Sequence, residues 1–212
     1  ISHNTKSIKL KASGNIENIK TPTSMNIILP DFSLNANAND VCDILNTANI
    51  IKPDIASKIA KLGNITIDGQ FNGQPLDALF SGKVTTSMGD AKINIDYEKS
   101  SSNLIALKGD VGTTNLNIGA ITANTKLNQI SANATFDLSL NGNNRKGVVD
   151  GIVDYIDFNN YRYNDINLSA TIDNNFIEGN VAVNDPNISL TIDGEANIDK
   201  KSPFLNIHAD VK

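Results

Sequence analysis

The sequence predicts an all-β fold: a long antiparallel meander that must curl or fold onto itself, with one or two short helices around residues 40–62. Three observations carry this. Apolar and polar residues alternate with a period of two through most of the chain, tight-turn chemistry joins the alternating runs, and the alternation lapses over 40–62 into helical spacing. The clearest run is NISLTIDGEANID, 187–199. It puts Ile188, Leu190, Ile192, Gly194, Ala196 and Ile198 on one face, and Ser189, Thr191, Asp193, Glu195 and Asn197 on the other. One face is apolar and the other wet, so something must cover the apolar one.

Taken in chain order, residues 1–39 read as N-terminal strands. Residues 40–62, DVCDILNTANIIKPDIASKIAKL, space Val41, Ile44, Leu45 and Ala48 and then Ile55, Ile59 and Leu62 as two short amphipathic helices. Asn39 or Asp40 suits the first cap, Pro53 the first turn of the second helix, and Gly63 its stop. Isolated helices this short are marginal in water, so Ile44, Leu45, Ile55 and Ile59 are expected to pack on the apolar face of the sheet and plug one end or side.

From residue 63 the alternation runs to the end of the chain. The apolar set is Ile65, Ile67 and Phe71; Phe80, Val84 and Met88; Ile93, Ile95 and Tyr97; Ile105, Leu107 and Val111; and Phe136, Leu138 and Leu140. It continues as Ile166, Leu168 and Ile172; Ile177, Val181 and Val183; the 187–199 run; and Leu205, Ile207 and Val211. About a dozen strands result, linked by turns such as Asn141-Gly142 and Asp185-Pro186-Asn187. Short links favour pairing of sequential strands. The segment GVVDGIVDYIDF is apolar on both faces, with Val149, Val153 and Tyr155 opposing Val148, Ile152 and Ile156. Either that strand is buried on both sides or a bulge shifts its register.

Composition narrows the function classes. Aromatics make up 5% of the 212 residues, there is no Trp, Asn is abundant and the formal charge is −5. Nucleic-acid binding needs a basic footprint that 18 scattered Lys and Arg, outnumbered by 23 Asp and Glu, do not supply. No apolar run reaches the length of a membrane-spanning helix, and ISHNTKSIKL is unlike a signal peptide. A start at Ile1 reads as a fragment of a longer chain.

Catalytic chemistry is not readable. His3 falls in an apparent tail and His208 on the wet set of the last strand, without ligand-spaced partners. Cys42, the only cysteine, forms no intrachain disulfide and reads as a small buried hydrophobe on a helix. The Asp- and Asn-dense run 154–165 lacks the sixth-position Gly and terminal Glu of a calcium loop and reads as a hairpin turn. The triplets at Asn64, Asn133, Asn167 and Asn187 follow from Asn abundance, and Gly63, Gly69 and Gly73 mark bends or close packing. No catalytic residue, metal site or cofactor is assigned.

By pattern alone, a closed β-sandwich acting as a structural or adhesion module without a passenger is the reading most such strands would satisfy. The order of features nevertheless resembles the repeating β region of the AsmA and TamB family of translocation and assembly module proteins. The helical insertion after Leu45, the strand GNITIDGQFNG, the hairpin TTSMGDAKIN and GDVGTTNLNIG all contribute. The most specific part is 158–212: Phe158, Asn159, Tyr161, Tyr163, Ile166 and Leu168, the Asp-Pro-Asn turn, and the strand ending Ala209, Asp210, Val211.

That resemblance implies a single segment over 1–212 whose sheet curls into an open groove, or taco, with an apolar interior, and whose strand at 203–212 is an edge that would pair with a following segment of the parent chain. It further implies a role in moving phospholipid between the inner and outer membranes and in outer-membrane biogenesis. The implied setting is the periplasm of a Gram-negative cell, in a parent chain anchored in the inner membrane. Its implied partners are phospholipid acyl chains and, through the parent chain, an outer-membrane assembly protein of the BamA or TamA kind. The lining would be Ile65, Ile67, Phe71, Val84, Ile93, Ile95, Ile105, Leu107, Phe136, Leu138, Leu140, Ile166, Leu168, Ile172, Ile177, Val181, Val183, Ile188, Leu190, Ile192, Ile198, Leu205, Ile207 and Val211. The apolar face is mostly Ile, Leu, Val, Ala and Gly with few aromatics, a smooth wall suited to hydrocarbon rather than to a polar metabolite.

Overall fold

The computed structural model describes residues 2–4, 8–47, 53–100, 104–142, 144–199 and 201–212. In chain order its elements are β1 Ser2–Asn4, β2 Ile8–Glu17, β3 Asn26–Asn37, α1 Ala38–Thr47, α2 Pro53–Ile59 with a 3₁₀ turn Ala60–Leu62, and β4 Asn64–Gln74. Next come β5 Asp77–Thr86, β6 Gly89–Lys99, β7 Ile105–Asn117, α3 Ile118–Thr122, β8 Leu127–Asn141 and β9 Asn144–Phe158. The last are β10 Tyr161–Asp173, β11 Phe176–Asp185, β12 Ile188–Asn197 and β13 Phe204–Val211.

The thirteen strands form one antiparallel sheet in which chain order is spatial order. At about 4.8 Å between strands it extends roughly 55–60 Å in the stacking direction. It does not close, since β1 pairs only with β2 and β13 only with β12 among the described residues. The chain exposes 13504 Å², whereas a compact monomer of 22.7 kDa would expose about 9,500 Å². That excess, together with the single sheet, sets aside the closed sandwich.

The connections leaving odd-numbered strands lie along one margin of the sheet, and those leaving even-numbered strands lie along the other. The first margin carries α1, α2 and α3, and we call it the capped margin. It also holds the buried residues: Ala36, Ala38, Cys42, Ala56, Ile65, Ser131, Val153, Val183 and Asp185. The opposite, open margin carries exposed Ile19, Leu76, Ile198 and Phe204.

Local chemistry explains the helical insertion. The Asn37 side chain accepts from the Asn39 N–H at 3.0 Å and so does the capping expected of Asn39 or Asp40. Pro53 opens α2, and Gly63, at φ 72°, stops the 3₁₀ turn. The Cys42 thiol donates to the Ala56 carbonyl at 3.3 Å, joining the two helices. Packing runs through Cys42 and Ala56 rather than through Ile55, which is 44% exposed, with Ile59 half-buried. The side chains of Ile44 and Leu45 lie outside the described residues. Lys61 Nζ donates to the Ile121 carbonyl at 2.9 Å and ties α3 to the insertion. Helix α3 itself is absent from the sequence reading. It is five residues long, capped by Asn117 accepting from the Ala120 N–H, and too short to show a period.

Bulges keep the apolar residues on one side. Register shifts around Pro30 in β3, opposite Gly14 of β2 and Gln70 of β4, at Thr114–Asn115 in β7, and at Asp154 in β9 each change which parity of the bulged strand faces inward. Gly14 sits at φ 148°, where a Cβ would lie 1.9 Å from the Ile28 carbonyl oxygen. Asp154 resolves the doubly apolar strand. Val149 and Val153 face the apolar side before it, Ile156 does so after it, and Val148, Ile152 and Tyr155 are left on the wet side. His3 lies in β1, paired with Leu10, rather than in a tail.

Candidate functional site

Cross-strand register turns the alternating pattern into rows that cross the whole sheet. One row reads Leu34, Ile67, Val84, Ala91, Thr113, Ala132, Val153, Ile166, Val183, Leu190, Val211. The next reads Phe32, Gly69, Gly82, Ile93, Val111, Ala134, Gly151, Leu168, Val181, Ile192, Ala209. A third contains Phe71, Phe80, Ile95, Phe136, Val149 and Ile207, and a fourth contains Tyr97, Leu107, Leu138, Ile172, Ile177 and Leu205. Every sequence-assigned lining residue lies on this face except Ile198. It follows the end of β12 and is 54% exposed on the open margin, because the strand stops at Asn197.

Like residues differ in exposure between the two faces. In β4 to β12 the lining Ile, Leu, Val and Phe side chains are buried or half-buried, whereas Ile28, Leu79, Val148 and Ile152 on the wet face are 37–54% exposed. Only the edge strand β13 exposes its lining residues Leu205, Ile207 and Val211. Where two glycines, Gly69 and Gly82, face each other, the Phe32 and Phe80 rings approach over them with centroids 6.2 Å apart and restore the wall. Polar groups are sparse here. Among the described residues the Thr113 hydroxyl is the buried side-chain polar atom without a partner.

At the ends of β10 to β12, the capped margin carries a polar knot. Asp185, 5% exposed, points from β11 to the apolar side and accepts from the Tyr161 hydroxyl, the Asn187 N–H, and both the N–H and the side-chain amide of Asn164. These bonds, the Tyr161 hydroxyl first, hold its carboxyl down at about 2. Asn187 Nδ2 donates in turn to the Tyr161 hydroxyl at 2.6 Å, and Tyr163 packs edge-on against Tyr161 at 4.7 Å. Asp185 is therefore a carboxylate acceptor that fixes the Asp-Pro-Asn turn.

The wet face carries cross-strand side-chain bonds. Ser81 donates to Asn94 at 2.6 Å, Asn94 to Asp110 at 2.9 Å and Asn180 to Asp193 at 2.7 Å. Asn also takes the left-handed positions 18, 115, 159, 160 and 174. Its abundance thus has two causes, bridging between strands and turning between them. Asn159 and Asn160, both at positive φ, make the tight turn expected within 154–165.

Two depressions of about 680 Å³ lie on this wet side. One is lined by Asp150, Ser169, Glu178, Asn180, Asp193 and His208, the other by Ile28, Pro30, Gln70, Leu79, Asn94 and Lys108. The second went unread in the sequence because Leu79 and Ile28 occupy wet-parity positions. His208 is exposed beside Asp210 at 3.4 Å. Burial, followed by Asp43, pushes the Cys42 thiol upward, away from the reactive thiolate. Among the described residues no cluster of His, Cys, Asp or Glu could hold a metal ion, and no helix is long and apolar enough to cross a membrane.

No family model, curated protein or solved structure matches the chain. The site must be argued from its own chemistry. The apolar face offers hydrocarbon contact along the stacking direction, almost no hydrogen-bond partners, and one margin left open.

Proposed function

We propose that the apolar face is a lipid-binding groove that takes phospholipid acyl chains along its rows. In this reading the chain is a non-catalytic segment of an envelope protein of the AsmA and TamB kind. It works in the periplasm, within a parent anchored in the inner membrane, and serves phospholipid transport and outer-membrane biogenesis beside an outer-membrane assembly partner. The observation that carries the reading is the run of apolar rows across β4 to β13 on one face of a single sheet that does not close among the described residues. Contiguous apolar surface beyond a few hundred Å² is uncommon on a soluble monomer and marks an interaction site. The lining of this face also lacks the convergent polar groups that a metabolite needs.

The test is site-specific photo-crosslinking in cells at 190 and 192 on the apolar rows against 191 and 193 on the wet face. Phospholipid adducts at 190 and 192 alone are expected. Equal labelling at both sets, or none, would return the protein to a passenger-free structural role. Ile192→Arg adds a desolvation cost of several kcal/mol to any chain sliding past and should abolish the 190 adduct, while Thr191→Lys should leave it unchanged. Circular dichroism on both variants separates loss of lipid from loss of fold.

A further inference from the structure

We infer that β13 is a self-complementary edge through which two copies of this chain pair antiparallel, about a two-fold axis at His208, to make one sheet of twice the length. The argument starts from which backbone groups are free. Ser189 and Lys212 exchange both N–H···O bonds, at 3.2 and 2.8 Å, so they form a closely bonded pair. The antiparallel alternation then sets Asp210, His208, Asn206 and Phe204 toward β12. The N–H and C=O groups of Leu205, Ile207, Ala209 and Val211 are left pointing outward along the free edge.

Those four are the apolar-side residues of the strand. A second β13 with His208 opposite His208 sets Leu205 against Val211 and Ile207 against Ala209, each pair reciprocated by the two-fold. The four outward positions then bond in closely spaced pairs with no frustrated donor or acceptor. Because the axis is normal to the sheet, both apolar faces lie on the same side and the rows continue from one copy into the other.

The wet side is complementary in the same register. Asn206 falls opposite Asp210 of the second copy, twice, which repeats the cross-strand Asn to Asp pairing seen at Asn94–Asp110 and Asn180–Asp193. Asn206 already donates to Glu195 at 3.3 Å, and its amide carries a second N–H for the new partner. Nothing on the strand protects it from pairing. It has no proline, no bulge and no inward-pointing charge, and all eight residues are exposed. The other edge, β1, spans three residues.

The test is sedimentation of the purified 212-residue chain at about 50 μM, where a stable strand-paired dimer is populated. A species of twice 22.7 kDa is expected. Ile207→Pro removes an outward N–H that no bond within the chain uses, and Ile207→Lys places a charge opposite Ala209. Each should weaken the dimer by roughly tenfold or more, without losing the strand signal in circular dichroism. The register is read separately, in a Cys42→Ala background. His208→Cys should oxidise to an interchain disulfide across the axis, while Asn206→Cys, about 13 Å from its mate, should not. A monomer at this concentration, a dimer indifferent to both Ile207 variants, or equal crosslinking at 206 and 208 would each overturn the inference.

Discussion

The two margins of the sheet are built from the same strands and behave as different materials. At the capped margin the helices, the bulges of β7 and β9 and the Asp185 knot gather the buried residues, from Ala36 and Cys42 across to Val153 and Val183. At the open margin the connections hold no buried residue among the described ones, and Ile19, Leu76, Ile198 and Phe204 stand in solvent. The difference teaches where stability resides in a sheet that has no second layer. Cohesion comes from backbone ladders everywhere, but side-chain burial deep enough to resist substitution is confined to one side. The open side is left free to meet other apolar matter.

The largest effect that could break this contrast is a charge in the capped core. Ala36 is 2% exposed, between Ile8 and Ile65 in register. Ala36→Asp should cost about 3 kcal/mol or more, since no partner there can receive a carboxylate. Leu76→Asp, in an exposed turn of the open margin, should stay within about 0.5 kcal/mol. Urea unfolding of both variants checks the pair, and comparable losses would dissolve the distinction between the margins.

Acid sharpens the contrast next. The Asp185 carboxyl is held at about 2, below its ordinary value near 3.9, by the bonds from Tyr161, Asn187 and Asn164. Its folded value is depressed, so its contribution is fully present above the unfolded value and is lost as pH falls through about 2. Asp185→Asn should therefore lower the thermal midpoint at pH 6 and flatten the decline between pH 4 and pH 2. An acid limb identical to that of the parent chain would mean that the knot does not hold the capped margin.

Much of this architecture was legible in the sequence because a strand writes its burial at every second residue. Ile188 to Ala196 and the Asn141-Gly142 turn could be read directly. What escaped is what lacks a period. Helix α3 is a single turn, and Ile198 continues the alternation past the point where the strand ends. The packing role of Cys42 and Ala56 against the exposed Ile55 depends on where two helices meet rather than on their individual stripes. The candidate groove was legible as a set of residues but not as rows, because register across strands is fixed by bulges: the doubly apolar run around Asp154 offered one of them as an alternative, while no local pattern announces those at Pro30 and Asn115.

The smallest expected effect bears on that last point, at two adjacent residues of β9. Val153 lies on the apolar side at the capped margin and is 7% exposed, while Ile152, its neighbour, is 54% exposed on the wet face. If Asp154 did not bulge, the strand would need shelter on both sides, and Ile152 and Val153 would cost similar amounts to truncate. With the bulge in place, Val153→Ala removes buried methyl groups and should cost roughly 1.5–2.5 kcal/mol. Ile152→Thr keeps β-branching, loses only hydrated apolar surface, and should change stability by less than about 0.5 kcal/mol. The ratio of the two, measured in one urea series, reports whether β9 is covered on one face or on both, without a structure of either variant. A cost for Ile152→Thr equal to that of Val153→Ala would place a second covering layer against the wet face, and would remove the single-layer sheet on which the groove depends.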